Sequence, residues 1–384
     1  MPTVLDRRAL NRVLLQRQLL IERSPMGASD AVEHLLGLQS QAPESAYIGL
    51  WTRLDGFALD DLAQLLRDRR AVRLVLMRST VHLVSARDAL LLRPLLQPML
   101  DKVFAGSNWA RGLAGADRAE VMAFGRGLVE ERPRDPAELR TLLAARWPGA
   151  DPASLVNALR SWLPLVQLPP RGLWGEGGRV LYTTAEHWLG EPLAAPDPAG
   201  VVRRYLAAFG PASVADAQKW SGLTGLRSVF AGMELRTYHD ERGRILYDLP
   251  DAPPLPDPGT PVSARFVADF DNLTLSHADR GRILADEHRS RLMTVNGIIR
   301  AAVLVDGFVA GTWRVDRAHG SATLTVSPFG PLARADRAAL TQEAERLLVA
   351  TDPGAAHAVD FGQAPSRRTT ADPRPSGGGR GVGG

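Results

Sequence analysis

Two glutamines separated by a single residue, Gln39 and Gln41, stand where an apolar run, Leu35, Leu36 and Leu38, gives way to Pro43. In an extended or turn-like backbone, side chains two residues apart point the same way, so the spacing predicts a pair of primary amides on one face. A neutral amide takes no proton at physiological pH, but its carbonyl oxygen can hold a water or face a developing positive charge. Taken alone, the pair is more simply read as amides that cap a helix end or bond a loop backbone.

Other polar groups offer chemistry of different kinds. Asp269 and Asp271 alternate on an expected strand and can hold a cation or a sugar, although pairing with nearby arginines is the simpler reading. The stretch Ser276 to Arg282, with His277, Arg280 and Arg282, concentrates donors without the third member of a hydrolase triad, and reads as a contact loop. Arg78, Thr80 and His82 fall in an expected β-ribbon, where they either reach phosphate oxygens or decorate a solvated tip. Trp174 lies among Gly172, Gly175, Gly177 and Gly178, placed to stack on a base or sugar or to serve as a buried anchor. Eight histidines show no His-Glu-x-x-His helix and no ligand spacing, so no metal and no cofactor is expected.

Composition narrows the classes further. The chain has no cysteine, which removes disulfides, thiolate nucleophiles and Cys-based zinc sites and fits a reducing, cytoplasmic setting, nucleoid-associated if the partner is DNA. No apolar run is long enough to span a bilayer, so no membrane partner is expected. The formal charge is +4 with a sequence pI near 9.8, modest support for a polyanionic partner such as nucleic acid. Lys102 and Lys219 are the only lysines, so few amines are available for lyase chemistry at a sugar carbon.

The elements that must position these groups follow a repeating order. Helices are expected over Asp6 to Ile21, Ser29 to Leu38 and Leu59 to Arg69, followed by strands Val72 to Met77 and Thr80 to Val84. Three helices and a two-stranded wing form a winged helix-turn-helix pattern. After a helix from Ala86 to Leu100, the order restarts with helices near Arg118 to Glu130, Pro136 to Arg146 and Asp151 to Ser161, then strands Leu165 to Leu168 and Arg179 to Thr183. It restarts again with helices Ala199 to Phe209, Ser213 to Trp220 and Leu223 to Met233, then strands Leu235 to Tyr238 and Ile245 to Leu249. Beyond the stiff linker Ala252 to Pro258 come strands Ala264 to Phe270, Leu292 to Thr294, Ile298 to Val305, Phe308 to Val315 and Ala322 to Ser327. Asn296-Gly297 and Asp306-Gly307 are hairpin signals, and a helix from Arg334 to Thr351 should cover this sheet or small barrel. The expected fold class is α+β: winged helices over 1–110, 111–195 and 196–251, a C-terminal β-barrel with its helix over 252–362, and a disordered tail over 363–384.

Several phrases together resemble the winged-helix DNA glycosylases of the AlkZ type, the azinomycin-resistance, crosslink-unhooking family. They are Gly37-Leu38-Gln39-Ser40-Gln41, Gly49-Leu50-Trp51, Arg78 to Leu83, Phe209 to Ser213 with Trp220 to Leu223, Phe270 to Leu273 with Leu275 to Arg280, and Val305 to Gly307 with Ala310 to Trp313. The resemblance implies three tandem winged helices closed by a β-barrel, forming a concave basic channel for duplex DNA. It also implies that the Gln-x-Gln motif is catalytic, which carries over to Gln39 and Gln41. The family's middle residue is often apolar, and Ser40 departs from that. A sibling branch has aspartate at the second position; Gln41 places this chain in the branch associated with self-resistance to crosslinking natural products.

The implied reaction suits two amides. Alkylation at guanine N7 makes the base cationic, so it leaves without protonation, and catalysis reduces to placing water below C1′ and stabilising an oxocarbenium-like sugar. The expected activity is therefore monofunctional hydrolysis of the N-glycosidic bond of N7-alkylguanine in double-stranded DNA, bulky adducts and crosslinks included, by a monomer. The alternative is a non-catalytic winged-helix transcription regulator, because fold alone does not separate reader from enzyme.

Overall fold

Helix starts follow from local chemistry along the chain. Asp135, Asp151 and Asp197 each accept a hydrogen bond from a first-turn N–H, and Pro136, Pro152 and Pro198 occupy the first helical position, where a missing N–H costs nothing. The computed structural model describes residues 3–294 and 297–362, and within them three helices immediately precede a two-stranded ribbon three times over. Asn296 and the tail expected to be disordered lie outside the described residues.

The ribbons do not stand apart. Strands Leu38–Gln39, Val81–Ser85, Ala71–Val75, Leu165–Gln167 and Tyr182–Thr184 form, in that order, one five-stranded antiparallel sheet. The first ribbon joins the second through the pairs Arg73 with Gln167 and Leu74 with Val166, across residue 110. The N-terminal strand Val4–Leu5 pairs in parallel with Arg236–Asp240, and Arg17, in helix Arg7–Arg17, holds Asp248 through two hydrogen bonds of 2.7 and 2.6 Å. One apolar core runs through Leu14, Leu74, Leu96, Phe209, Trp220 and Leu304, so the first and third units share an interior, while the helices of the second pack around Val121, Leu139, Leu143 and Leu159.

Two features at the glutamines differ from expectation. Helix Ala28–His34 stops before Leu38 because Leu36 and Gly37 take φ of 55° and 85°; a Cβ on Gly37 would lie 2.4 Å from Val84 Cγ1. Glycine is therefore required there, and the reversal frees Leu38 and Gln39 to join the sheet. Pro43, expected to stop regular helix, instead leads into helix Glu44–Trp51, whose last seven residues are all buried.

The C-terminal sheet corrects the expected barrel. Its order is Ala356–Phe361, Ser321–Pro328, Phe308–Ala318, Ala302–Val305, Arg265–Val267, and the first and last strands do not pair, so it is open. Strand Ala356–Phe361, which the sequence pattern did not reveal, joins in parallel and becomes an edge. Leu292, expected in a strand, ends the short helix Arg289–Leu292, and only the bridge from Met293 to Ile299 remains. Helix Arg334–Thr351 covers the sheet through Leu340, Ala344, Leu347 and Leu348, as its spacing requires, and Ile48 and Trp51 pack into the same cluster. That contact brings the C-terminal sheet against the element that follows the two glutamines.

Candidate active site

The strand Leu38–Gln39 sets Gln39 opposite His82, and Ser40 N–H continues the pairing by donating to Val81 O at 2.8 Å. Ser40 is buried: its hydroxyl accepts from Arg73 Nε at 3.2 Å and its carbonyl from Arg73 Nη2 at 2.8 Å. The glutamines on either side of it turn their oxygens toward the turn between the first ribbon's strands. Gln39 Oε1 accepts from Arg78 Nη2 at 2.8 Å, and Gln41 Oε1 lies 3.5 Å from Val81 N, a long contact. Gln39 is 5% exposed whereas Gln41 is exposed, so the pair runs from the interior to the surface.

Arg78 organises this corner. Its Nη2 also donates to Asn272 Oδ1 at 2.9 Å and its Nη1 to Trp220 O at 2.6 Å, so one guanidinium ties three distant stretches of chain. No carboxylate among the described residues pairs with it, and burial, reinforced by Arg280, lowers its pKa to about 10. Arg78 and Ser79 both hold left-handed φ, 57° and 59°, a conformation that non-glycine residues keep only where their surroundings over-determine it.

Asn272 is itself fixed. Its Nδ2 donates to Gly37 O at 3.3 Å, and the preceding Asp271 accepts from Leu273 N and binds Arg53 through two bonds of 2.8 Å. Asp271 is thus the arginine-paired carboxylate, buried and occupied. Asp269 keeps a different setting: Ser45 Oγ donates to it at 2.5 Å, and burial, with Asp271 adding to it, raises its pKa. Gln39, Ser45, Asp269, Asp271 and Asn272 share a cavity of about 10 Å³, room for a single water.

The AlkZ-like DNA glycosylase family matches this chain over residues 32–349, a span that contains Gln39, Gln41, Arg78 and Asn272. The chain belongs to that family. Among curated proteins it is similar to the interstrand DNA cross-link repair glycosylase of Streptomyces sahachiroi, 27% identical over 363 residues, 88% of this chain and 94% of that protein. Among solved structures it shares the fold of the Streptomyces sahachiroi DNA glycosylase AlkZ, with a TM-score of 0.78 at 22% identity over 94% of this chain and all of the other.

For an AlkZ-like glycosylase, the expected DNA contacts come out unevenly. His82 is fully buried with Nδ1 donating to Thr80 O at 3.0 Å, and burial pushes its pKa to about 3. His277 is buried against Phe209 O at 3.0 Å, and Arg282 is buried and donates to Pro211 O at 2.9 Å. His82 on the expected ribbon and His277 and Arg282 in the expected contact loop are thus buried, their donors claimed by backbone carbonyls. Arg280 is half-buried with Nη1 2.8 Å from Met293 Sδ, and Thr80 donates to Met77 O at 3.1 Å. Trp174 is half-buried with its ring 5.4 Å from Tyr47, so it is an anchor more than a free stacking platform. Among the described residues, no cluster of metal-ligating side chains and no helix long and apolar enough to cross a membrane is found.

Asn272 is the site residue that sequence reasoning missed. It lay inside the phrase Phe270 to Leu273, but nothing in spacing connects it to a residue 194 positions away.

Proposed function

We propose that this glycosylase hydrolyses the N-glycosidic bond of N7-alkylguanine in double-stranded DNA, bulky adducts and interstrand crosslinks included, with Gln39 and Gln41 as catalytic residues. The observation that carries the reading is the pair of amide oxygens gathered at one turn of the first ribbon, with Gln39 lining a cavity with room for one water. In the reaction, a bond forms from the water oxygen to C1′ and the C1′–N9 bond breaks. The bonding pair moves to the cationic base, which leaves neutral, and the water proton passes to solvent. Because the alkylated base already carries the charge that an acid would supply, neutral side chains suffice.

Crosslinks come within reach by the same logic. The cross-link repair name of the Streptomyces relative supports it, and N7 adducts project into the major groove, so a bulky one need not enter a closed base pocket. We read the three helices-then-ribbon units as winged helices that carry the duplex, with Thr80 and Arg280 as the remaining contacts of the expected set. Purified protein should release N7-methylguanine from duplex DNA and leave an alkali-labile abasic site without a borohydride-trapped enzyme–DNA adduct. Gln39→Ala and Gln41→Ala should each lower release by about 100-fold while DNA binding survives. Tight binding to a defined operator with no base release would make the protein a regulator instead.

A further inference from the structure

The bonds around Gln39 decide which end of its amide is free. An arginine carries donors only, so the amide atom at 2.8 Å from Arg78 Nη2 must be the oxygen. Nothing about an ordinary amide ambiguity survives next to a guanidinium. Asn272 obeys the same constraint: its oxygen faces Arg78 and its nitrogen faces Gly37 O, which can only accept. No acceptor among the described residues engages Gln39 Nε2, and the one-water cavity lies beside the residue.

We propose that Arg78 is a positioning residue that makes Gln39 a hydrogen-bond donor: the guanidinium holds Oε1, so Nε2 is the end presented to the reaction. The two glutamines then divide the work. Gln39 donates to the oxygen of the attacking water, while Gln41 takes the acceptor role toward the water's proton and the sugar cation. The Gln41 oxygen has only the 3.5 Å contact to Val81 N and sits at the exposed end of the pair. A lysine cannot replace Arg78, because three acceptors on separate elements, at 2.8, 2.9 and 2.6 Å, need a planar fork. A purely structural tie would not need a half-buried cation without a carboxylate, which costs stability.

The inference rests on the glycosylase reading, and Gln39→Glu separates the two. Glutamate keeps an oxygen for Arg78, gains an ion pair with it and loses the donor. Single-turnover release from duplex carrying N7-methylguanine or a nitrogen-mustard crosslink should fall about 100-fold, as in Gln39→Ala, while the melting temperature rises. Release within about threefold of the parent protein, or a lowered melting temperature, would overturn the donor assignment. Arg78→Lys should lose release to the same extent with DNA Kd changed less than about threefold, a split that a general loss of structure would not produce. Parent-like release by folded Arg78→Lys would also overturn it. Should Arg78→Lys fail to fold, Gln39→Glu carries the test alone, because it retains Arg78. No release by the parent protein from either duplex would instead end the glycosylase reading itself.

Discussion

The turn Met77–Ser79 between the strands of the first ribbon and the glycine-rich segment 170–178 in the second occupy comparable places in one sheet, but they are built from opposite materials. In the first, Arg78 and Ser79 take left-handed φ with full side chains, and Arg78 binds Gln39, Asn272 and the Trp220 carbonyl. In the second, positive φ falls on Gly172, Gly175 and Gly178, and a Cβ on Gly175 or Gly177 would meet nothing within 4 Å. A side chain forced left-handed persists only where its contacts outweigh the strain, so the first turn marks the place where position matters. The second needs only to turn, and Trp174 on Tyr47 holds it.

The comparison breaks most easily at Gly37, which packs against the first ribbon. Its φ is 85° and an added Cβ would lie 2.4 Å from Val84 Cγ1 and 2.7 Å from Leu83 O, so Gly37→Ala should cost about 3 kcal/mol by denaturant unfolding. Acid offers a graded effect, smaller than that at Gly37 within any one pH unit, through His82, buried behind the same turn. Its pKa is lowered from 6.5 to about 3, so between those values the unfolded chain binds a proton that the folded chain refuses. Its contribution to stability is complete above pH 6.5 and is lost as pH falls toward 3, at up to about 1.4 kcal/mol per pH unit. His82→Gln should flatten the stability profile in that window. The smallest effect belongs to the second tip: Gly175→Ala, at φ 69° with open space around it, should cost about 1 kcal/mol and leave base release unchanged. A larger loss there than at Gly37 would erase the contrast between the two turns.

What the sequence disclosed depended on whether its signals were local. The helices expected from Pro136, Asp151 and Ala199 were legible because a helix start is set by adjacent residues, here an Asp cap with Pro at the first helical position. Helix Glu44–Trp51 was hidden because it is apolar on every side, with Ala46, Tyr47, Ile48, Leu50 and Trp51 all buried, and so shows no amphipathic period. The strands of the C-terminal sheet were legible, but closure depends on whether its edges meet, and the parallel edge strand Ala356–Phe361 is largely exposed and weakly patterned. Gln39 and Gln41 were visible as a spaced pair, and the family phrases implied a catalytic role for them. The burial of His82, His277 and Arg282 was not visible, since their partners are backbone carbonyls contributed by the fold. Nor was the grip of Arg78 on Asn272 across 194 residues.

We propose that two neutral amides, on the segment paired to the first ribbon, carry base hydrolysis. Single-turnover release of N7-methylguanine from duplex DNA, measured for the parent protein and for Gln39→Ala with DNA affinity recorded alongside, tests it most directly. Release by the parent and a loss of about 100-fold in the variant at unchanged affinity are expected. Equal release by the two proteins would contradict the proposal.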